Sequence, residues 1–183
     1  HFIGGLDEGQ VLNRYFRYFG LMDKLDLKRM DADGFDTINF AGDPVEYKFA
    51  MGHKHFVDTL CPHFPSERKV LEKYVSKLKD ICNHFPLYSI RENEFQVSEL
   101  QLFSENAFDY IRSLTNNPKL ENVIAGSNPL YAGIPDKTPL YVHALVNNSF
   151  IVSSWRVVKG SSNIATILAE SIIENGGIII KKS

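Results

Sequence analysis

Gly160-Ser161-Ser162-Asn163-Ile164-Ala165-Thr166-Ile167-Leu168-Ala169-Glu170-Ser171-Ile172-Ile173-Glu174-Asn175-Gly176-Gly177-Ile178-Ile179-Ile180 is the stretch on which the reading of this chain turns. Ile164, Ile167, Leu168 and Ile172 recur at helical spacing. Asn175-Gly176-Gly177 stops the helix, since glycine suits the left-handed position past a helix end. Ile178, Ile179 and Ile180 then follow without alternation, the pattern of a strand buried on both faces. Helix, glycine stop and all-apolar strand make half of a βαβ unit. No parallel neighbour for that strand is evident upstream. The expectation is therefore a boundary near residue 158: residues 159–183 supply a helix and strand that re-enter a larger sheet, and residues 1–158 form a region of their own.

Working upstream, Leu140 to Trp155 is the most apolar stretch, broken by His143, Asn147, Asn148 and serines. Thr138-Pro139 opens it as a helix, with proline near the first helical position. Gly126 to Asp136 is punctuated by Gly and Pro and predicts an ordered loop. Pro118 to Ile124 and Ser104 to Leu114 predict two short helices. Val70, Leu71, Tyr74, Leu78, Ile81 and Phe85 give a longer helix a clean stripe, with Ser66 as its cap and Pro86 as its end. Another helix falls within His53 to Phe64.

Before these helices, Asp31-Ala32-Asp33-Gly34 and Gly42-Asp43-Pro44 are turns around two short strands, Phe35 to Phe40 and Val45 to Phe49. His1 to Leu6 reads as a strand end running into a glycine turn, and Asp7 to Gln10 as a capping box. The helix beyond carries an aromatic stripe of Tyr15, Phe16, Tyr18 and Phe19. The fold class expected is α+β: a helix-rich domain with a small antiparallel β-meander.

Hydrophobic residues make up 44% of the 183 and charged residues 23%, enough to bury a core. A net charge of -2 with scattered Lys and Arg gives no field for nucleic acid, so no nucleic-acid partner is expected. Cys61 and Cys82 are too few for a disulfide framework and fit a reducing cytoplasm. No apolar run is long enough to cross a bilayer, so the expected location is cytoplasmic, with peripheral membrane contact open. The chain starts at His1 rather than Met, which reads as a cut made by processing or by design.

Several constellations invite chemistry. Cys61-Pro62-His63, Cys82-Asn83-His84 and His53-Lys54-His55 place Cys and His two apart, which points them to different sides of a helix, so no metal site is expected. No Gly-x-Ser-x-Gly elbow supports a hydrolase. Gly160-Ser161-Ser162 reads as a serine helix cap or as a phosphate cradle. The aromatic stripe is core or the wall of an apolar tunnel. His143 is either a polar handle for a substrate hydroxyl or a hydrogen-bonded core histidine. Asn147-Asn148-Ser149 is a formal glycosylation sequon within a predicted helix.

The pattern of short motifs resembles a known group. His1-Phe2-Ile3-Gly4-Gly5 followed by Gly9-Gln10, Asp31-x-Asp33-Gly34-Phe35-Asp36 and Phe64-Pro65-Ser66-Glu67 are similar to segments of phytoene desaturase-like, carotenoid isomerase-like and retinol saturase-like FAD-dependent oxidoreductases. So are Leu140-Tyr141-x-His143-Ala144, Trp155-Arg156 before Gly160-Ser161, and Asn175-Gly176-Gly177. The resemblance implies a two-domain flavoenzyme whose FAD domain is interrupted by a substrate domain, acting on long apolar isoprenoids by desaturation, saturation or isomerisation.

In that frame residues 1–158 are the substrate-binding region and 159–183 return toward an FAD-binding domain of the same chain. Tyr15, Phe19, Tyr141, His143 and Trp155 are candidate substrate contacts, while His1, Gly4, Gly160 and Ser161 are candidates for nearness to the cofactor. The chain lacks the Gly-x-Gly-x-x-Gly fingerprint, because no two glycines are separated by one residue. FAD is thus expected in the intact parent and not in this piece, which would be inactive alone. Exposed domain-contact surface is expected to favour self-association. A competing expectation is a self-sufficient, non-catalytic domain that binds a lipid or a protein. The two differ at Ile178 to Ile180, which a self-sufficient domain pairs internally and a separated one leaves exposed.

Overall fold

A computed structural model describes residues 2–85, 88 and 104–180. The order is β1 (Phe2–Gly4), α1 (Val11–Tyr18), β2 (Leu27–Arg29), β3 (Asp36–Ile38), β4 (Tyr47–Phe49), α2 (His53–Leu60), α3 (Arg68–His84), α4 (Ala107–Leu114), α5 (Pro118–Ile124), α6 (Leu140–Val152), β5 (Ser154–Val157) and α7 (Ser162–Glu174). Short 3-10 segments cover Pro65–Glu67 and Ala125–Tyr131. The architecture is α+β and helix-rich, with small antiparallel sheets.

Local chemistry accounts for most boundaries. Asn106 caps α4 by accepting from the backbone N–H of Phe108 and Asp109, and Asn117 caps α5 in the same way, with Pro118 at the first helical position. α3 stops at His84 because Phe85, ahead of Pro86, is extended. The predicted Ser66 cap makes no side-chain bond, since a 3-10 turn leads into α3 instead. The predicted loop at Gly126 to Asp136 opens inside the 3-10 segment.

β3 and β4 pair as a hairpin, with Thr37 opposite Lys48. The other sheet has the order β1-β5-β2, all antiparallel. Trp155, at its centre, lies opposite Ile3 on one side and Arg29 on the other.

α6 is the structural axis. It packs against α2, α3, α4, β1, β5 and the Ala125–Tyr131 segment. A helix with neighbours all round is buried all round: Leu140, Ala144 and Ile151 are fully buried, and the polar His143, Asn147 and Asn148 are buried with them. The main core joins them to Phe56, Leu60, Leu71, Tyr74, Leu78, Ile81 and Leu120. A second, much smaller cluster holds Leu21, Leu25, Val157 and Ile167 under α7.

Ile178 to Ile180 correct the opening expectation in one respect. They lie in no strand, and Ile178 and Ile180 are 85% and 90% exposed. A strand exists only by hydrogen bonding to a neighbour, and none of the described strands pairs with residues 178–180. The apolar run is left outside.

Candidate functional site

Position 153 builds the site. Ser153 is fully buried, and its Oγ accepts from the backbone N–H of Leu6 at 3.0 Å and of Asp7 at 3.2 Å, while donating to Gln10 Oε1 at 2.6 Å. Gln10 Oε1 also accepts from Asp7 N at 3.1 Å, the back-reach expected of the capping box. The cap itself falls at Gln10 rather than Asp7. Asp7 uses its carboxylate elsewhere, accepting from Trp155 Nε1 at 2.9 Å and pairing with Arg29 at 3.0 Å. Together these bonds hang the start of α1 on the end of α6.

Gly4 completes the approach. A Cβ there would lie 2.5 Å from the Ser149 carbonyl carbon and Oγ, so only glycine lets β1 lie on α6 this closely.

Between α1, the end of α3 and α6 lies an apolar groove of about 250 Å³, lined by Val11, Leu12, Tyr15, Phe85, Tyr88, Leu145, Val146 and Ser149. Val11 and Tyr15 are one helical turn apart on α1, as Leu145 and Ser149 are on α6. Beside it is a crevice of about 200 Å³ with mixed walls, which includes Gln10, Arg14, Cys82, Asn83, Asn148 and Val152 and shares Val11 and Tyr88 with the groove.

A hydrogen-bonded series underlies the shared wall. His53 Nε2 donates to Asn148 Oδ1 at 2.7 Å, and Asn148 Nδ2 donates to Tyr88 Oη at 3.1 Å. The Tyr88 hydroxyl also bonds Cys82, whose thiol donates to the Ala144 carbonyl at 3.7 Å. Burial pushes the Cys82 thiol up to about 12, so it is neutral and inert. Burial, and then the neighbouring Cys82, hold the Tyr88 hydroxyl protonated. Desolvation lowers His53, only partly offset by its bond to Asn148.

The candidate residues disperse. Tyr15 lines the groove, and Tyr141 stacks on Phe85 beside it with centroids 5.9 Å apart. Phe19 sits past the end of α1 in a separate hollow of about 510 Å³ with Tyr18, Gly20, Leu168, Ser171 and Ile172. Trp155 belongs to the sheet, tied to Asp7.

His143 is fully buried. Its Nε2 bonds the Tyr74 hydroxyl at 2.8 Å and its Nδ1 the Tyr131 hydroxyl at 2.6 Å. Burial lowers it to about 4, so it is neutral, with one ring nitrogen donating and the other accepting. In this form both nitrogens are committed within the protein.

Asn147 of the sequon is buried and donates to the His143 carbonyl at 2.8 Å, a placement closed to glycan attachment. Gly160 has φ 99°, the left-handed region that favours glycine. Ser161 makes no side-chain cap bond to α7. His1 lies outside the described residues.

Among the described residues no three His, Cys, Asp or Glu side chains gather. Cys61 and Cys82 are both buried and free. No helix among the described residues is long and apolar enough to cross a membrane.

No protein-family model matches the chain. The chain is distantly similar to all-trans-retinol 13,14-reductases. It is 23% identical to that of Rattus norvegicus and 22% identical to that of Homo sapiens, in each case over the whole of this chain and 32% of the relative. The Danio rerio protein is 24% identical over 75% of this chain and 25% of its own length. The chain thus spans about a third or less of the relatives' length.

FAD, which the resemblance implies, does not fit the described residues by themselves. The junction of β5 and α7 has the strand–turn–helix shape of a dinucleotide cradle, but it carries one glycine, Gly160, and β5 is antiparallel to both neighbours. A pyrophosphate cradle needs several glycines and a parallel βαβ unit.

Proposed function

We propose that this chain is the substrate-side region of a larger FAD-dependent oxidoreductase that acts on a long apolar isoprenoid of the retinoid or carotenoid kind. The observation that carries the reading is the apolar groove at Tyr15, Phe85 and Val146, in a chain similar over its full length to a third of the retinol 13,14-reductases. The reactive chemistry would come from the flavin. The groove residues would orient the polyene and keep water from it.

Exposed Ile178 and Ile180 support the same reading over a self-sufficient binding domain, because they leave apolar surface for another part of a longer chain to cover. That part would hold the FAD, and these 183 residues alone would turn nothing over.

The test is to purify the full-length protein and this chain in parallel, record flavin absorbance, and assay both with conjugated polyenes. The expected result is a yellow, active full-length protein and a colourless chain that still binds polyene. A colourless full-length protein that binds lipid without converting it would overturn the oxidoreductase reading in favour of a binding module.

A further inference from the structure

Neither the groove nor the crevice by itself reaches the ~300 Å³ at which small-molecule sites usually begin: the groove is about 250 Å³ and the crevice about 200 Å³. They meet at Val11 and Tyr88, so a ligand of ordinary size has to span both. One end of it then lies among Leu12, Tyr15, Leu145 and Val146. The other faces Gln10 and Asn148. That division of walls fits an amphipathic molecule rather than a pure hydrocarbon.

The residue at the join is arranged to recognise oxygen. Asn148 is buried, and its amide orientation is set by His53, which occupies Oδ1 at 2.7 Å. Nδ2 is thereby turned to donate to Tyr88 Oη at 3.1 Å. With a lone pair of that oxygen taken, the Tyr88 proton is the group left to offer. Its partner at rest is the Cys82 sulfur, a weak acceptor that a ligand oxygen outcompetes.

We propose that Tyr88, positioned by Asn148 and His53, is the headgroup subsite for a polyene bearing one terminal oxygen, with the chain of that ligand in the Val11–Tyr15–Val146 groove. This rests on the reading of the groove as a polyene site and adds the ligand's polarity and the residue that selects it. His53 and Asn148 are positioning residues, since they act through Tyr88.

The test is equilibrium binding by fluorescence to the full chain, using all-trans-retinol and the same polyene lacking its hydroxyl. The expected result is roughly 3- to 10-fold tighter binding of the alcohol, the worth of one neutral hydrogen bond. Tyr88→Phe should weaken the alcohol by that factor and leave the hydrocarbon unchanged. Val146→Trp, which fills the groove, should weaken both. Equal affinity of the native chain for the two ligands, or equal loss of both in Tyr88→Phe, would overturn the subsite and leave the polyene groove standing. If a chain folded by circular dichroism binds neither, the groove reading falls, and the subsite with it.

Discussion

α3 with α6 and α1 with α7 are two ways of burying an amphipathic helix, and only the first is finished. Tyr74, Leu78 and Ile81 on α3 meet Leu140, Ala144 and Ile151 on α6 with almost nothing left exposed. At the other end Tyr18 is 83% exposed, and Phe19, Ile172 and Ile173 are also exposed. There the Leu21, Leu25, Val157 and Ile167 cluster covers only the inner side of α7. Burying one large apolar side chain is worth roughly 1.5–3 kcal/mol. The α3–α6 pair therefore carries the fold, and the α1–α7 end holds apolar surface in reserve.

The sharpest way to break the contrast is truncation in each region. Leu78→Ala should cost roughly 2–5 kcal/mol in chemical denaturation, because Leu78 is fully buried in the main core. Ile167→Ala, from the smaller cluster, should cost clearly less. Equal losses would make the two ends equivalent.

Acid tests the same core from inside. His143 is lowered to about 4 by burial, from an ordinary 6.5. Between those values the unfolded chain binds the extra proton and the folded one does not. Stability contributed by neutral His143 is thus present above pH 6.5 and is lost as pH falls toward 4, by about 3 kcal/mol in all. Urea midpoints measured from pH 7 to pH 4 should fall accordingly, and the His143→Phe variant should lose this dependence.

At the join of the two regions, Ser153→Ala removes the acceptor for the Leu6 and Asp7 amides and the donor to Gln10. The expected cost is about 1–3 kcal/mol, with α1 released first, so amide exchange should rise in residues 5–18 before it rises in α3. The smallest effect belongs to the reserve surface. Ile173→Lys should change folding stability by no more than about 0.5 kcal/mol. It should nonetheless reduce concentration-dependent association in sedimentation velocity.

Much of the helical framework was legible in the sequence. The Val70-to-Phe85 stripe, and Asn117 before Pro118, state a local preference that packing does not contradict. β2 and β5 were not legible. Leu27-Lys28-Arg29 and Ser154 to Val157 are too short for a periodic signal, and they become strands only by pairing across most of the chain. Ile178 to Ile180 carry the converse lesson, since an apolar run is a strand only where a neighbour exists.

The site was legible in pieces. Tyr15 and Tyr141 could be singled out as apolar walls and fall at or beside one groove. Phe19 leaves that face because α1 ends at Tyr18. His143 has the same residue type either as a handle or as core, and only its two tyrosine partners decide its place in this form. Asn148, Tyr88 and His53 were missed because their relation spans from residue 53 to 148. Two consecutive asparagines inside a largely apolar helix were the available hint.

The β1-β5-β2 sheet also sets a timetable. Leu6 and Ser153 are 147 positions apart, so on a ribosome adding roughly 5–20 residues per second the first strand waits roughly 7–30 s for its partner. The α3 segment has already been made by then and can begin to fold, whereas the mouth of the groove assembles among the last steps. Mutations that slow synthesis late in the chain would prolong the interval in which Tyr15, Phe16 and Phe19 await their neighbours, and chaperone dependence should track that interval rather than the final stability.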